Sequence, residues 1–316
     1  MAQPPPAKSD LETLLIQSVH RLVGEGGGFR LGLAVSGGPD SMALVDLAAR
    51  CFPGRVEAAT VDHGLRKASA EEAAMVAQWC GGRGIAHAVL HPPAPLTGNV
   101  QQWARTQRYA ALEAWRAERQ IDWLCTAHHA DDQLETMLMR LNRGAGVNGL
   151  SGIRARQGQV LRPLLDAKRV DLLDYVRTQG LPFVDDPSNS DPRFDRAAIR
   201  RHLEHVGWLD ARAAVRSAAA LAECGEALDW MVEDLASAHV RREGHAWLLT
   251  RTDLPRELLR RLLLHIVAQA EPDALPRGDT IDRAISIAAK GGQASLGSWL
   301  LKGGAEWKLS PAPARQ

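Results

Sequence analysis

The stretch that decides the fold is LGLAVSGGPDS, residues 31–41. Its first half, Leu31–Val35, is a short apolar run, which is typical of a buried strand in a parallel sheet. Its second half, Ser36–Ser41, is a glycine-rich turn, and the segment Met42–Arg50 after it favours a helix. Glycines let a backbone approach an anion closely, and a helix start offers free N–H groups and a positive dipole end. The stretch therefore predicts a phosphate-binding loop between a strand and a helix.

The polar side chains of this loop favour a pyrophosphate ligand. The hydroxyl groups of Ser36 and Ser41 can donate hydrogen bonds, and the Asp40 carboxylate can hold Mg²⁺ on a pyrophosphate. The loop contains no lysine, so it is not the GxxxxGK[ST] loop of P-loop NTPases, and release of whole pyrophosphate is the more natural chemistry. The alternative interpretation is a tight turn in which a serine or aspartate caps the helix.

Further strands and helices alternate along the next hundred residues. The apolar runs and helical patterns lie at Val56–Val61, His87–Leu90, Asn99–Arg119, Trp123–Ala127 and Asp131–Arg143, and Ser69 to Glu72 form a capping-box pattern. Strands that alternate with helices predict βαβ units and a parallel sheet, hence an α/β fold. Ligands of such sheets bind beyond the carboxyl ends of the strands, which is where the polar motifs fall.

The character of the chain changes near Gly207. Asp210–Val240 and Arg256–Gln269 predict helices, and Leu296–Leu301 with Trp307–Leu309 predicts a hairpin around two glycines. We expect a flexible N-terminus and first helix start over residues 1–20. An α/β catalytic domain over residues 21–207 and a smaller, mostly helical domain over residues 208–316 would follow.

Composition indicates an ordinary globular protein. The chain has 316 residues, 45% of them hydrophobic and 24% charged, which is enough for a sizeable core. No apolar run approaches the ~20 residues that a membrane helix needs, and the polar, proline-rich start does not resemble a signal peptide. The four cysteines lie far apart, which predicts reduced thiols. We therefore expect a cytoplasmic protein with no membrane partner, and the net charge of +1 does not by itself indicate nucleic acid.

Two further segments follow predicted strands. VDHGLR, residues 61–66, comes after the second strand, and TAHHADDQLET, residues 126–136, spans the end of the fourth strand. Asp132 and Glu135 lie three apart on one helix face, so together they can grip an amine or Mg²⁺. Asp131 suits the N-cap of that helix. The two adjacent histidines point to opposite sides of an extended chain, so we expect no shared metal.

With SGGPDS, these segments resemble the tRNA(Ile)-lysidine synthetase family of the PP-loop ATP pyrophosphatase superfamily. The resemblance covers about residues 31–203 and includes RTQRY (105–109), RGAG (143–146), GLSGI (149–153) and LRPLL (161–165). It implies a ligase that forms a carbon–nitrogen bond on the isoleucine tRNA with a CAU anticodon. ATP would adenylate the C2 oxygen of the cytidine at the first anticodon position. L-Lysine would then displace AMP.

The resemblance also implies roles for individual residues. ATP and pyrophosphate would be bound by Ser36, Gly37, Gly38, Pro39, Asp40, Ser41, Asp62, His63 and His128. Asp40 would hold Mg²⁺ and, with Asp132 and Glu135, would be catalytic. Asp132 and Glu135 would bind and deprotonate the lysine amine, with Arg105 or Arg108 on its carboxylate.

A basic stripe begins near residue 193. Arg193, Arg196, Arg200 and Arg201 are expected to neutralise tRNA phosphates, although such residues also occur on solvated helix faces. The chain departs from the family at Ala197, where an asparagine is usual. The resemblance implies that the C-terminal domain also contacts the tRNA body, and a homodimer is an open alternative to a monomer.

Three other functions are weighed against this one. A PP-loop enzyme that inserts sulfur generally needs paired cysteines, and no CxxC occurs. An amide-forming synthetase of the GMP or NAD type needs an ammonia source or a glutaminase unit, for which no nucleophilic-cysteine context is present. The last alternative is a non-catalytic RNA-binding relative, which the retained Asp40, Asp132 and Glu135 disfavour.

Overall fold

The computed structural model describes residues 10–24, 27–64, 67–96, 98–184, 195–203, 205–271, 276 and 278–312. The elements in chain order are α1 (Asp10–Val23), β1 (Leu31–Ala34), α2 (Pro39–Cys51), β2 (Val56–Val61), α3 (Lys67–Gly81), β3 (Ala86–Leu90), α4 (Val100–Glu118), β4 (Trp123–Cys125), α5 (Ala130–Leu141), α6 (Val147–Leu150), β5 (Arg156–Gln157), β6 (Val160–Leu161), α7 (Arg169–Thr178), α8 (Asp195–Leu203), α9 (Ala211–His239), β7 (Val240–Glu243), β8 (Ala246–Leu249), α10 (Arg256–Ala270), α11 (Gly278–Ala288), β9 (Gln293–Leu296), β10 (Trp299–Lys302) and β11 (Trp307–Pro311).

The first sheet runs in the order β3-β2-β1-β4-β6-β5 within the described residues. β1 lies at its centre and pairs in parallel with β2 and β4, so that Leu33 lies between Ala58 and Cys125. The chain adds β2 and β3 on one side of β1, and β4 and β6 on the other. Such a reversal is the topological switch point of a parallel sheet, and ligands usually bind in the crevice beyond the carboxyl ends of the strands there, which are β1 and β4 in this chain.

β1 and α2 form the centre of the core. Leu31, Leu33 and Val35 are almost fully buried, and every residue of α2 from Ser41 to Ala48 is buried as well. α2 packs against α1 and α7, with Leu15 and Leu172 in the same cluster. Burial on both faces explains why LGLAV is a continuous apolar run.

The chain divides into two compact units, residues 1–222 and 223–316, and the division falls inside α9. The predicted α/β parallel-sheet domain followed by a second, smaller domain is confirmed. The predicted ranges 21–207 and 208–316 stay predictions. No helix in the part of the chain that the structure describes has the length and apolarity needed to cross a membrane.

The second unit combines helices with an antiparallel sheet of order β7-β8-β11-β10-β9. One face of the sheet packs on α10 and α11 through Leu249, Leu301 and Trp307. The sequence predicted α10 and the hairpin of β10 and β11, but it missed β7 and β8. It also read Leu296–Leu301 as one strand, whereas the chain turns at Gly297, whose φ of +64° favours glycine.

The capping box predicted from Ser69 to Glu72 is wrong. α3 already begins at Lys67, so Ser69 lies inside the helix. Its hydroxyl donates to Oδ1 of Asp62 at 2.6 Å instead. The serine therefore braces the loop that follows β2.

Candidate active site

The loop after β1 is held open by its two serines. Ser41 Oγ accepts the N–H of Ser36 at 3.1 Å and donates to the carbonyl of Gly38 at 2.9 Å. Gly37 has φ +83°, a conformation that favours glycine. α2 begins at Pro39 with Gly38 as its N-cap residue, and no side chain makes a capping hydrogen bond there. The first turn of α2 therefore keeps N–H groups and its positive dipole end for an anion.

Asp40 points a free oxygen into this region. Its Oδ1 is buried and has no hydrogen-bond partner among the described residues, while Oδ2 lies 3.5 Å from Nε2 of His129. A buried carboxylate oxygen without a partner is costly, so its presence indicates that a ligand supplies the missing contact.

His129 connects the ends of β1 and β4. It is fully buried, and its Nε2 lies 3.5 Å from Oδ2 of both Asp40 and Asp132. Burial disfavours the charged ring, but the hydrogen bond to Asp40 and the charges of Asp132, Asp40 and Asp131 outweigh it and raise the pKa of His129. Sequence reasoning assigned this residue no site role.

The N-cap of α5 explains the position of His129. Its Nδ1 accepts the N–H of Asp132 and its own N–H donates to Oδ2 of Asp132, which together form a capping box. The prediction that Asp131 caps α5 is wrong, because Oδ2 of Asp131 accepts the N–H of Arg169 at the start of α7. The pattern His-x-x-Asp was the available sequence signal.

His128 precedes His129 in the chain, and its Nδ1 is 2.8 Å from Oγ1 of Thr126. Burial, aided by Arg162, Arg108 and Arg196, lowers the pKa of His128 to about 4, although Asp132 acts in the opposite direction. The ring is therefore neutral at pH 7 and can accept or donate a hydrogen bond to a nucleotide.

Glu135 is paired completely within the protein. Its buried carboxylate accepts a hydrogen bond from Nε of Arg196 at 2.9 Å. It accepts two more from Nε and Nη2 of Arg200, at 2.7 and 3.1 Å. The Arg200 pair is bidentate, the geometry that makes such ion pairs strong. Two arginines predicted to contact tRNA thus lie against a predicted catalytic residue.

Asp132 is less completely engaged. Its Oδ1 lies 3.6 Å from Nη2 of Arg196 and 3.9 Å from Nη2 of Arg200, both beyond hydrogen-bond distance. Burial alone would raise the pKa of Asp132, but His129, Arg196 and His128 outweigh it, so that the pKa is lowered. Asp132 is therefore ionised, with an oxygen left for a cationic group.

The two arginines predicted to bind the carboxylate of the lysine substrate lie on α4, in basic surroundings. The guanidinium groups of Arg105 and Arg108 lie 5.4 and 5.5 Å from the Tyr109 ring centre. Burial lowers the pKa of Arg108, as does the charge of Arg105. Burial and Arg108 also lower the pKa of His63, whose ring is 6.0 Å from that of Trp103 and whose buried Nδ1 lacks a partner in the described chain. This arrangement favours an anionic ligand.

The other predicted site residues are more dispersed. Oδ1 of Asp62 accepts hydrogen bonds from the N–H of Gly64 and the hydroxyl of Ser69. These two bonds lower the pKa of Asp62, and the bond from Ser69 has the larger effect. Arg201 is exposed on α8. Arg193 lies outside the described residues, as does the side chain of Ala197.

Comparison with known proteins agrees with this architecture. A family model described as a PP-loop domain matches residues 11–206. Among solved structures, the chain resembles the U34-tRNA thiolase NcsA from Methanococcus maripaludis with a TM-score of 0.55 and 18% identity. The match covers 67% of this chain and 80% of that one, and at this identity it shows the fold alone.

Curated relatives are more specific. The chain is 40% identical over 297 residues to a tRNA(Ile)-lysidine synthase from Zymomonas mobilis, covering 91% of this chain and 90% of the relative. It is 43% identical over 295 residues to the synthase of Novosphingobium aromaticivorans, with 90% and 89% coverage. It is also 43% identical over 289 residues to that of Ruegeria pomeroyi, with 87% and 69% coverage. The predicted family is confirmed: this chain belongs to the tRNA(Ile)-lysidine synthase family of PP-loop proteins.

Proposed function

We propose that this protein is a ligase that joins L-lysine to C2 of a cytidine in tRNA at the expense of ATP. The cytidine is the first anticodon base of the isoleucine tRNA with a CAU anticodon, and AMP and pyrophosphate are released. The observation that carries the proposal, within the family shown above, is the free buried oxygen of Asp40 beside an uncapped helix start at the sheet crevice.

The residues of the loop fit ATP and Mg²⁺. Mg²⁺ is usually held by one or two carboxylates together with substrate phosphates, and Asp40 offers one unpaired carboxylate oxygen beside the loop. Bound there, Mg²⁺ would neutralise charge on the pyrophosphate leaving group. The backbone and hydroxyl groups of residues 36–41 would hold the phosphates, and Asp62, His63 and His128 would lie along the nucleotide.

Lysine would bind between α4 and α5. Its ammonium would face Asp132 and Glu135, and its carboxylate would pair with Arg105 or Arg108. Because Glu135 is already held by Arg196 and Arg200, Asp132 offers the more available oxygen. The amine must lose a proton before it attacks C2 of the adenylated cytidine, and the adjacent carboxylate is suited to accept it.

The tRNA would approach over α8. Arg201 is exposed there, whereas Arg196 and Arg200 reach Glu135 and would share their charge between the protein and the RNA. Arg193 and the C-terminal domain, residues 208–316, would add phosphate contacts, which predicts salt-dependent affinity. A cytoplasmic location and a homodimer belong to the same proposal.

Sulfur insertion is the weaker candidate function. Burial raises the pKa of Cys80 to about 11 and that of Cys125 to about 12. Sulfur transfer uses thiolates, and thiols with raised pKa supply few of them. These two cysteines are therefore suited to the core and not to sulfur relay.

The test is AMP release from ATP with Mg²⁺, lysine and a CAU-anticodon isoleucine tRNA transcript, omitting each component in turn. We expect AMP only with the complete mixture, and a mass gain at the cytidine that corresponds to lysine. AMP that requires tRNA but not lysine would overturn lysine as the nucleophile. No AMP in any mixture would favour the non-catalytic RNA-binding alternative.

A further inference from the structure

The corner between α8 and α9 exposes a tryptophan. Trp208 is 82% exposed, the most exposed of the large apolar side chains in the described parts of the chain. Tryptophan has a large apolar ring, so that full exposure is unfavourable, and exposed aromatic rings mark binding surfaces more often than other residues do.

The corner itself is firmly attached to the catalytic unit. Leu203 and Leu209, on either side of the turn, pack against a cluster that contains Ala130 and Leu134 of α5. The N–H of Val206 donates to the carbonyl of Leu203 at 3.0 Å and closes the turn. Trp208 is therefore exposed on an anchored segment.

The length of the chain limits how far this corner can lie from the proposed reaction site. Arg200 contacts Glu135, and Leu203 follows it by three residues, about 4.5 Å along the helix. Trp208 is five residues further, at most about 18 Å of extended chain. An RNA loop that places one base in the crevice can reach this corner with another.

The charge around Trp208 suits RNA. Exposed basic and titratable side chains precede it at Arg201, His202 and His205. The exposed acid Asp210, two residues after it, is paired with Lys168 and Arg216. A second exposed tryptophan, Trp230 on α9, is 70% exposed but lies among acidic residues. Those residues, all exposed, are Glu226, Asp229, Glu233 and Asp234. Phosphates would be attracted to the first site and repelled from the second.

We propose that Trp208 is a stacking platform for an unpaired base of the anticodon loop, with Arg201 on the adjacent phosphate. The inference rests on the proposed function, because it takes the partner to be a tRNA. Stacking of a base on an aromatic ring tolerates any base, so Trp208 would contribute affinity and placement, and not base identity.

The experiment compares Trp208→Ala, Trp208→Phe and Trp230→Ala with the wild type. The probes are a CAU anticodon stem–loop RNA in direct binding and the full tRNA in AMP release. We expect Trp208→Ala to weaken stem–loop binding and to raise KM for tRNA by about 5- to 150-fold. The phenylalanine variant should recover most of the loss. KM for ATP and for lysine should not change.

Trp230→Ala is the matched control, because it removes an exposed tryptophan from an acidic surface. We expect wild-type binding and turnover from it. Stem–loop binding by Trp208→Ala within twofold of wild type, or an equal loss in Trp230→Ala, would overturn the inference. Since stem–loop binding does not require turnover, a wild type that binds RNA but releases no AMP would contradict the proposed function and leave this test intact.

Discussion

Two carboxylates in the crevice are treated in opposite ways by the fold. In the first turn of α2, Asp40 keeps a buried oxygen without a partner in the described chain. On α5, Glu135 has both oxygens occupied by Arg196 and Arg200. An unsatisfied buried group indicates a place for a ligand, whereas a saturated one indicates a contact that holds the fold together. Both residues are acidic, so their residue type alone does not distinguish a carboxylate that binds a ligand from one that stabilises the fold.

The sharpest test of the free oxygen is Asp40→Asn. We expect the rate of AMP release to fall by about 100- to 1,000-fold, because the variant removes the carboxylate charge that would hold Mg²⁺ on the pyrophosphate. The free energy of unfolding should change little. Asp166→Asn, which breaks an exposed ion pair with Arg21, is the control and should turn over normally. Near-normal turnover of Asp40→Asn would contradict the assigned role.

Asp132→Asn tests the carboxylate that is only partly engaged. Loss of its charge should raise KM for lysine by roughly 100-fold, since an ammonium would lose its ionic partner. The affinity for ATP, measured by equilibrium dialysis, should remain near normal. Unaltered lysine dependence would remove Asp132 from the lysine site.

Glu135→Gln tests the saturated carboxylate. The variant leaves two guanidinium groups without their charged acceptor. We therefore expect the free energy of unfolding, measured by urea denaturation, to fall by about 2 kcal/mol. Asp132→Asn, measured in parallel, should lose less. If Glu135→Gln were as stable as wild type but unable to use lysine, Glu135 would be a binding residue in the same sense as Asp132.

The last prediction concerns how the free energy of unfolding depends on pH. The pKa of His128 is lowered to about 4, so below its ordinary value of 6.5 the unfolded chain binds a proton that the native chain does not. This contribution to stability is present above pH 6.5 and is lost as pH falls toward 4. Urea unfolding of His128→Asn should show a weaker decline over that range than wild type. Equal declines would show that other groups cause the effect.

Much of the first unit could be predicted from local patterns. β2 begins and ends where its apolar run does, and the loop after β1 was evident from its glycines and serines. These features depend on residues close in sequence. Errors occurred where a local pattern had two outcomes, as for Ser69, which suits a cap but lies inside α3 and bonds to Asp62.

The roles within the candidate site were harder to predict. His129 resembles any histidine near a strand end until Asp40 is brought within 3.5 Å of it. Glu135 and Arg200 are separated by 65 residues, so no spacing rule connects them. The exposure of Trp208 is likewise a property of packing, because its sequence neighbour Leu209 is packed against α5.

The sequence alone determined the alternation of strands and helices from β1 to α5, the phosphate loop and the family, because hydrophobic period and glycine placement act over a few residues. Only the tertiary structure decided which carboxylate is free, which is saturated and which histidine joins β1 to β4. Those outcomes depend on pairing between distant segments, and burial then sets the cost of every polar atom left without a partner.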